Sequence, residues 1–131
     1  MSLAPTRLSS VAGLAAALAV GAAATTATAQ TPPAPPSDFA VCSACHESTA
    51  KAGPSLGPNL FAIGGRKAGS VADFDYSPAM KAYGAAWTAD NLAAFILDPA
   101  KAVPNNKMDY SGANDAASAK AIADYLMTLK G

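Results

Sequence analysis

An all-α fold is what the sequence predicts, and three observations carry that reading. Caps, prolines and glycines punctuate several segments in the manner of helices. The last of these repeats its apolar residues at helical spacing, and no alternating apolar run of strand character occurs anywhere in the chain. At 131 residues the chain is short enough for one domain.

The first segment is not counted as fold. Arg7 supplies a positive start, Val11 to Ala24 is an uncharged apolar stretch, and "ATA" at 27–29 is a small-x-small cleavage site. This pattern predicts a cleaved secretory signal peptide over 1–29; the stretch is shorter than the ~20 apolar residues a membrane anchor needs. Residues 30–36, containing "TPPAPP", cannot form helix or sheet ladder and are expected to be an extended linker. The domain is placed at 37–131.

Four helices are expected within it. Ser37 is positioned to cap a short helix through "DFAVCSACH", with Asp38 in its first turn. "SPAMKAYG" carries Ser77 as cap, Pro78 at the first helical position and Gly84 just past the end. "TADNLAAFILDP" starts at Thr88 and stops by Asp98, because Pro99 disfavours helical geometry in the residue before it. Leu92, Phe95 and Ile96 share its apolar face. The last helix, about Asn114 to Lys130, has an apolar stripe of Ala119, Ile122, Leu126 and Leu129. Between Lys51 and Leu60 the chain is loop.

Charge and composition exclude several roles. Nine basic and nine acidic side chains balance, and removal of Arg7 leaves a net charge near −1. Neither nucleic-acid binding nor a polybasic membrane grip fits that balance. Aromatics make up only 7%, so a buried cofactor would supply much of the apolar volume that a domain this small lacks.

Both cysteines and the sole histidine fall within five positions, "CSACH", 42–46. In C-x-x-C-H two thiols and an imidazole can hold one planar ring: Cys42 and Cys45 add to the vinyl groups of haem as thioethers, and His46 meets the iron. Rival readings fit less well. A thioredoxin-like pair needs a βαβ setting, a structural zinc needs four ligands, and a disulfide closing two residues stabilises little and leaves His46 unexplained. One covalently bound haem c is therefore expected.

With no second histidine, methionine is the remaining soft partner for iron. Met80 and Met127 lie on expected helices and suit packing. Met108 stands in "VPNNKMDYSG", a polar loop between Pro104 and Gly112 that offers no helical face to bury it. Met108 is thus assigned as sixth ligand, making His46 and Met108 the metal-binding pair.

From Asp38 to Lys130 the chain resembles class I cytochromes c, the family of mitochondrial cytochrome c and its soluble bacterial relatives. "CSACH", "GPNLFAIGGRKAG", "FDYS", Trp87 and "PNNKM" come in that family's order. The resemblance implies the fold: N- and C-terminal helices, carrying Phe39 and Tyr125, packed together around the covalent haem. It also implies that the Pro58 carbonyl accepts from Nδ1–H of His46, and that Arg66, Tyr76 and Trp87 lie at the haem propionates. Phe95 falls where the family commonly has tyrosine, Asn106 replaces a frequent threonine, Asn105 a frequent glycine, and Met80 a usual polar residue.

The role implied is that of a soluble one-electron carrier, not an enzyme. It would be periplasmic and monomeric, working in a respiratory chain through transient contact with membrane complexes: a bc-type donor and a terminal oxidase or similar acceptor. Lys51, Lys81, Lys101 and Lys107 are candidates for a ring steering acidic partners, with scattered solvated lysines an equal reading. A peroxidase or ligand-sensing module with a displaceable sixth ligand is the alternative function.

Overall fold

Helical punctuation in the sequence is reproduced closely in the folded chain, a computed structural model describing Met1, Ala4, Thr31 and residues 33–130. The expected signal peptide lies almost wholly outside these residues. No described helix is long and apolar enough to cross a membrane.

Five helices follow in order: α1 (Phe39–Ser43), α2 (Pro78–Tyr83), α3 (Ala89–Leu97), α4 (Pro99–Ala102) and α5 (Ala116–Thr128). Among the described residues there is no strand, only one isolated antiparallel bridge between Lys67 and Ala86. The all-α expectation holds.

Caps explain most of the boundaries. In α2 the Ser77 hydroxyl accepts from the Met80 amide, Pro78 occupies the first turn, and Gly84 ends the helix at φ 53°. Thr88 and Asn91 form a reciprocal capping box on α3. Asp115 caps α5 by accepting from the Ser118 amide.

Several boundaries differ from expectation: α1 stops at Ser43 and not at His46, and α5 spans Ala116–Thr128 and not about Asn114 to Lys130. The cap position of α1 is Asp38, not Ser37, and its side chain caps nothing. The Asp38 carboxylate instead accepts from the Ser118 hydroxyl on α5, so a tertiary partner outcompetes the local one. Pro99 does stop α3, but it also starts the unforeseen α4, whose first turn is capped by Asp98 accepting from the Lys101 amide. Proline suits the first helical position because its missing N–H would have had no partner there.

The core is built where α3 lies against α5. Leu92, Phe95 and Ile96 are buried on α3, and Ala119, Ile122, Ala123 and Leu126 on α5. Ala123 is 0% exposed, and the small side chains of Ala119 and Ala123 let the two backbones come close. The first helix joins through Phe39, whose ring meets Tyr125 edge-on at 4.9 Å. N- and C-terminal helices thus touch as the fold requires. Trp87 stacks between Tyr83 and Phe95, at 5.6 and 5.4 Å.

Candidate haem site

The site begins on α1. Cys42 is half-buried on this helix and Cys45 is exposed just beyond it; both are free thiols. Burial pushes the Cys42 thiol up from its ordinary value, with a backbone hydrogen bond opposing. The helical turn continues through two bonds to the Cys42 carbonyl, from the Cys45 amide at 3.1 Å and the His46 amide at 2.9 Å. That turn fixes the backbone from which the two thiols and the imidazole project.

His46 is oriented from across the following loop. Its Nδ1 lies 2.8 Å from the Pro58 carbonyl oxygen, which selects the Nδ1–H tautomer and leaves Nε2 as the unprotonated, metal-competent nitrogen. Gly57 is buried beneath the ring. A Cβ there would sit 2.6 Å from Nδ1 and 2.9 Å from Nε2, an overlap no neighbour can relieve without moving the imidazole. The Gly57 amide donates to the Cys45 carbonyl at 2.8 Å, locking loop to motif. Sequence reading missed Gly57; its signal was a glycine standing one residue before Pro58.

Asn59 and Arg66 shape the rest of the loop. Asn59 Nδ2 donates to the carbonyls of Thr49 and Ala52, at 2.8 and 2.7 Å, while its Oδ1 accepts from the Phe61 amide at 2.8 Å. The Arg66 guanidinium donates to the carbonyls of Asn59, 2.7 Å, and Phe61, 3.0 Å. Arg66 is half-buried, whereas its neighbour Lys67 is exposed. It stays charged and braces the segment that presents Pro58 to His46.

Arg66, Tyr76 and Trp87 are brought together. The Gly65 amide donates to the Trp87 carbonyl at 2.8 Å and the Trp87 amide to the Arg66 carbonyl at 3.0 Å. Burial pushes the Tyr76 phenol up, while a hydrogen bond with the Val71 backbone and the Arg66 charge pull it down. Burial lowers Arg66 from its ordinary value, with Tyr76 opposing. Trp87 is 6% exposed, so it is also a core residue.

The methionine loop has its own anchor. Asn106 Nδ2 donates to the carbonyls of Pro99 and Val103, both at 2.9 Å, and its Oδ1 accepts from the Met108 amide at 2.8 Å. Asn105 adopts φ 66°, the left-handed geometry that asparagine tolerates in place of glycine. Met108 is half-buried and packs against the core, whereas Met80 is buried in it at 8% exposure. Met127 also packs there.

These features bear on the cofactor. Two free thiols, one imidazole with its Nε2 unprotonated, and a glycine cradle beneath the ring form a donor set suited to covalent haem. Zinc is poorly served: among the described residues no three Cys, His, Asp or Glu side chains gather as a metal site.

Comparison with known proteins agrees. No family model matches the chain, but curated relatives do. The chain is 37% identical over 93 residues to cytochrome c2 iso-2 of Magnetospirillum molischianum, covering 70% of this chain and 94% of that protein. It is 42% identical over 74 residues to cytochrome c-550 of Nitrobacter winogradskyi, covering 56% of this chain and 68% of the relative. A cytochrome c homolog of Rickettsia felis is 40% identical over 90 residues, 68% of this chain, which spans about half (49%) of that longer protein. Among solved structures, cytochrome cH from Methylobacterium extorquens superposes with a TM-score of 0.62 at 37% identity, over 69% of this chain and 90% of that one. The chain belongs to the class I cytochrome c family. It is a haem c protein and an electron carrier, not an enzyme.

Proposed function

We propose that this carrier is exported to the periplasm by a signal peptide over 1–29, linked through 30–36 to a domain at 37–131, and that it exchanges single electrons with membrane redox complexes. Its haem is attached through Cys42 and Cys45, and its iron is held by His46 and Met108. When bound, the haem supplies a one-electron Fe(III)/Fe(II) couple, and a thioether ligand sets its potential comparatively high.

The single observation supporting this reading is the 2.8 Å contact between His46 Nδ1 and the Pro58 carbonyl. It fixes the orientation and tautomer of the imidazole for ligation. Asn106 complements it by tying the Met108 amide to α4. With His46 and Met108 both holding the iron of a bound haem, small molecules would be kept from the metal and the site would be left with electron transfer. Arg66, Tyr76 and Trp87 together offer a half-buried cation, a phenol and an indole, a set suited to offsetting propionate charge.

Partners are a bc-type donor and a terminal oxidase or similar acceptor, met transiently by a soluble monomer. The lysine ring is a weaker steering device than the sequence suggested. Lys107 and Lys81 both face Asp75, at 2.6 and 3.9 Å, so part of their charge is neutralised. Exposed Val41 (59%), next to the motif, and Leu56 (78%), in the loop that follows it, add an apolar component to docking.

Absorption spectra of oxidised and reduced protein from export-competent cells test the ligand set. Wild type and Met108→Ala should both show c-type bands, and only the variant should lose the weak red band of methionine-bound ferric haem. Retention of that band in Met108→Ala would exclude Met108 and redirect the assignment to Met80.

A further inference from the structure

Beyond offsetting lysine charge, Asp75 brings together two segments, α2 and the loop of Lys107. The Lys107 ammonium reaches its Oδ2 at 2.6 Å and also donates to the Asp75 backbone carbonyl at 3.1 Å, across 32 residues of sequence. Lys81, on α2, lies 3.9 Å from the other carboxylate oxygen. Lys107 accordingly holds the Asp75 carboxyl below its ordinary value, with a smaller contribution from Lys81.

The position of this cluster matters more than its strength. Lys107 immediately precedes Met108, and Asp75 immediately precedes Tyr76. One residue before Lys107, Asn106 accepts from the Met108 amide and donates to the carbonyls of Pro99 and Val103. The loop carrying Met108 is therefore held at two points: to α4 by an amide, and to the "FDYS" segment by an ion pair reinforced with a backbone bond. An exposed pair adds little to global stability. It acts where a small bias counts, on the equilibrium between a closed loop and one swung away.

We infer that Asp75 is a positioning residue for Met108, closing the methionine loop onto the Tyr76 segment through Lys107. The inference rests on Met108 being the sixth ligand. Asp75 touches neither the iron nor the reacting electron; it sets how often the loop opens.

Imidazole binding to the ferric holoprotein reads that opening, because the added ligand enters only when Met108 has left. At low ionic strength Asp75→Ala and Asp75→Asn should bind imidazole roughly two- to fivefold faster than wild type, the scale of an exposed ion pair. Their red band without imidazole should be unchanged. Lys107→Ala should accelerate binding at least as much, and adding Asp75→Ala to it should bring no further gain. High salt should quicken wild type toward the Asp75 variants and leave those variants unmoved. Equal rates for wild type and both Asp75 variants, or independent multiplication of the Asp75 and Lys107 effects, would overturn the positioning role. A wild type with no red band, binding imidazole without a saturating opening step, would instead overturn Met108 ligation and the positioning role with it.

Discussion

The α3–α5 pair and the loop segment from Glu47 to Tyr76 are stabilised in opposite ways. The helices meet through apolar side chains with almost no exposed surface, Ile122 at 1%, Leu126 at 2% and Leu92 at 3%. Each such side chain contributes about 1.5–3 kcal/mol on burial. The loop segment is held by polar side chains reaching backbone carbonyls: His46 to Pro58, Asn59 to Thr49 and Ala52, Arg66 to Asn59 and Phe61. Each neutral bond of this kind contributes about 0.5–1.5 kcal/mol net. One region supplies stability, the other supplies geometry.

The largest effect should come from breaking the first region. Ile122→Ala opens a cavity in the helix interface and should cost about 2–5 kcal/mol. In thermal melts of the holoprotein the midpoint should fall by roughly 10 °C or more. Visible bands of the folded variant should stay unchanged, because Ile122 belongs to the helices and not to the loop. A shifted spectrum with little loss in melting temperature would show that the two regions are not separable in this way.

The second region should break differently. Gly57→Ala forces a methyl into the imidazole of His46 and should cost about 1–3 kcal/mol as local overpacking. Far-UV helicity should be nearly wild type, whereas the yield of haem-loaded protein should drop and the ferric spectrum should report a disturbed axial ligand. A normal spectrum in Gly57→Ala would remove the cradle argument for His46.

The same contrast explains what was legible in the sequence. Helices whose caps are local, such as Ser77-Pro78 with Gly84 or Thr88 with Asn91, were readable because every partner lies within a few residues. α4 was hidden because one proline serves both as the stop of α3 and as a start. Asp38 was misplaced because its partner, Ser118, is 80 residues away. The cofactor motif was legible as five consecutive residues, and the left-handed Asn105 stands where the family resemblance puts a frequent glycine. Gly57, Asn59 and Asp75 were not, since each acquires meaning only from a neighbour that folding brings to it. Local rules reveal the region that supplies stability; the region that supplies geometry is written in long-range contacts.

The smallest effect should come from the outer face of the same helix that Ile122 anchors. Lys120 reaches Asp124 at 2.5 Å, an exposed i,i+4 pair with lysine on the N-terminal side, the less favourable order for the helix dipole. Asp124, chiefly through its hydrogen bond, raises Lys120 above its ordinary value of 10.5. A raised lysine adds stability that is fully present below the unfolded value and is lost as pH climbs through the folded one. Lys120→Ala should therefore differ from wild type by no more than the error of a melting curve at neutral pH, with any difference shrinking above about pH 10.5 and under high salt. If Lys120→Ala lowered the midpoint as far as Ile122→Ala, two residues along α5, stability would not reside in the apolar interface, and the contrast between helices and loop would lose its basis.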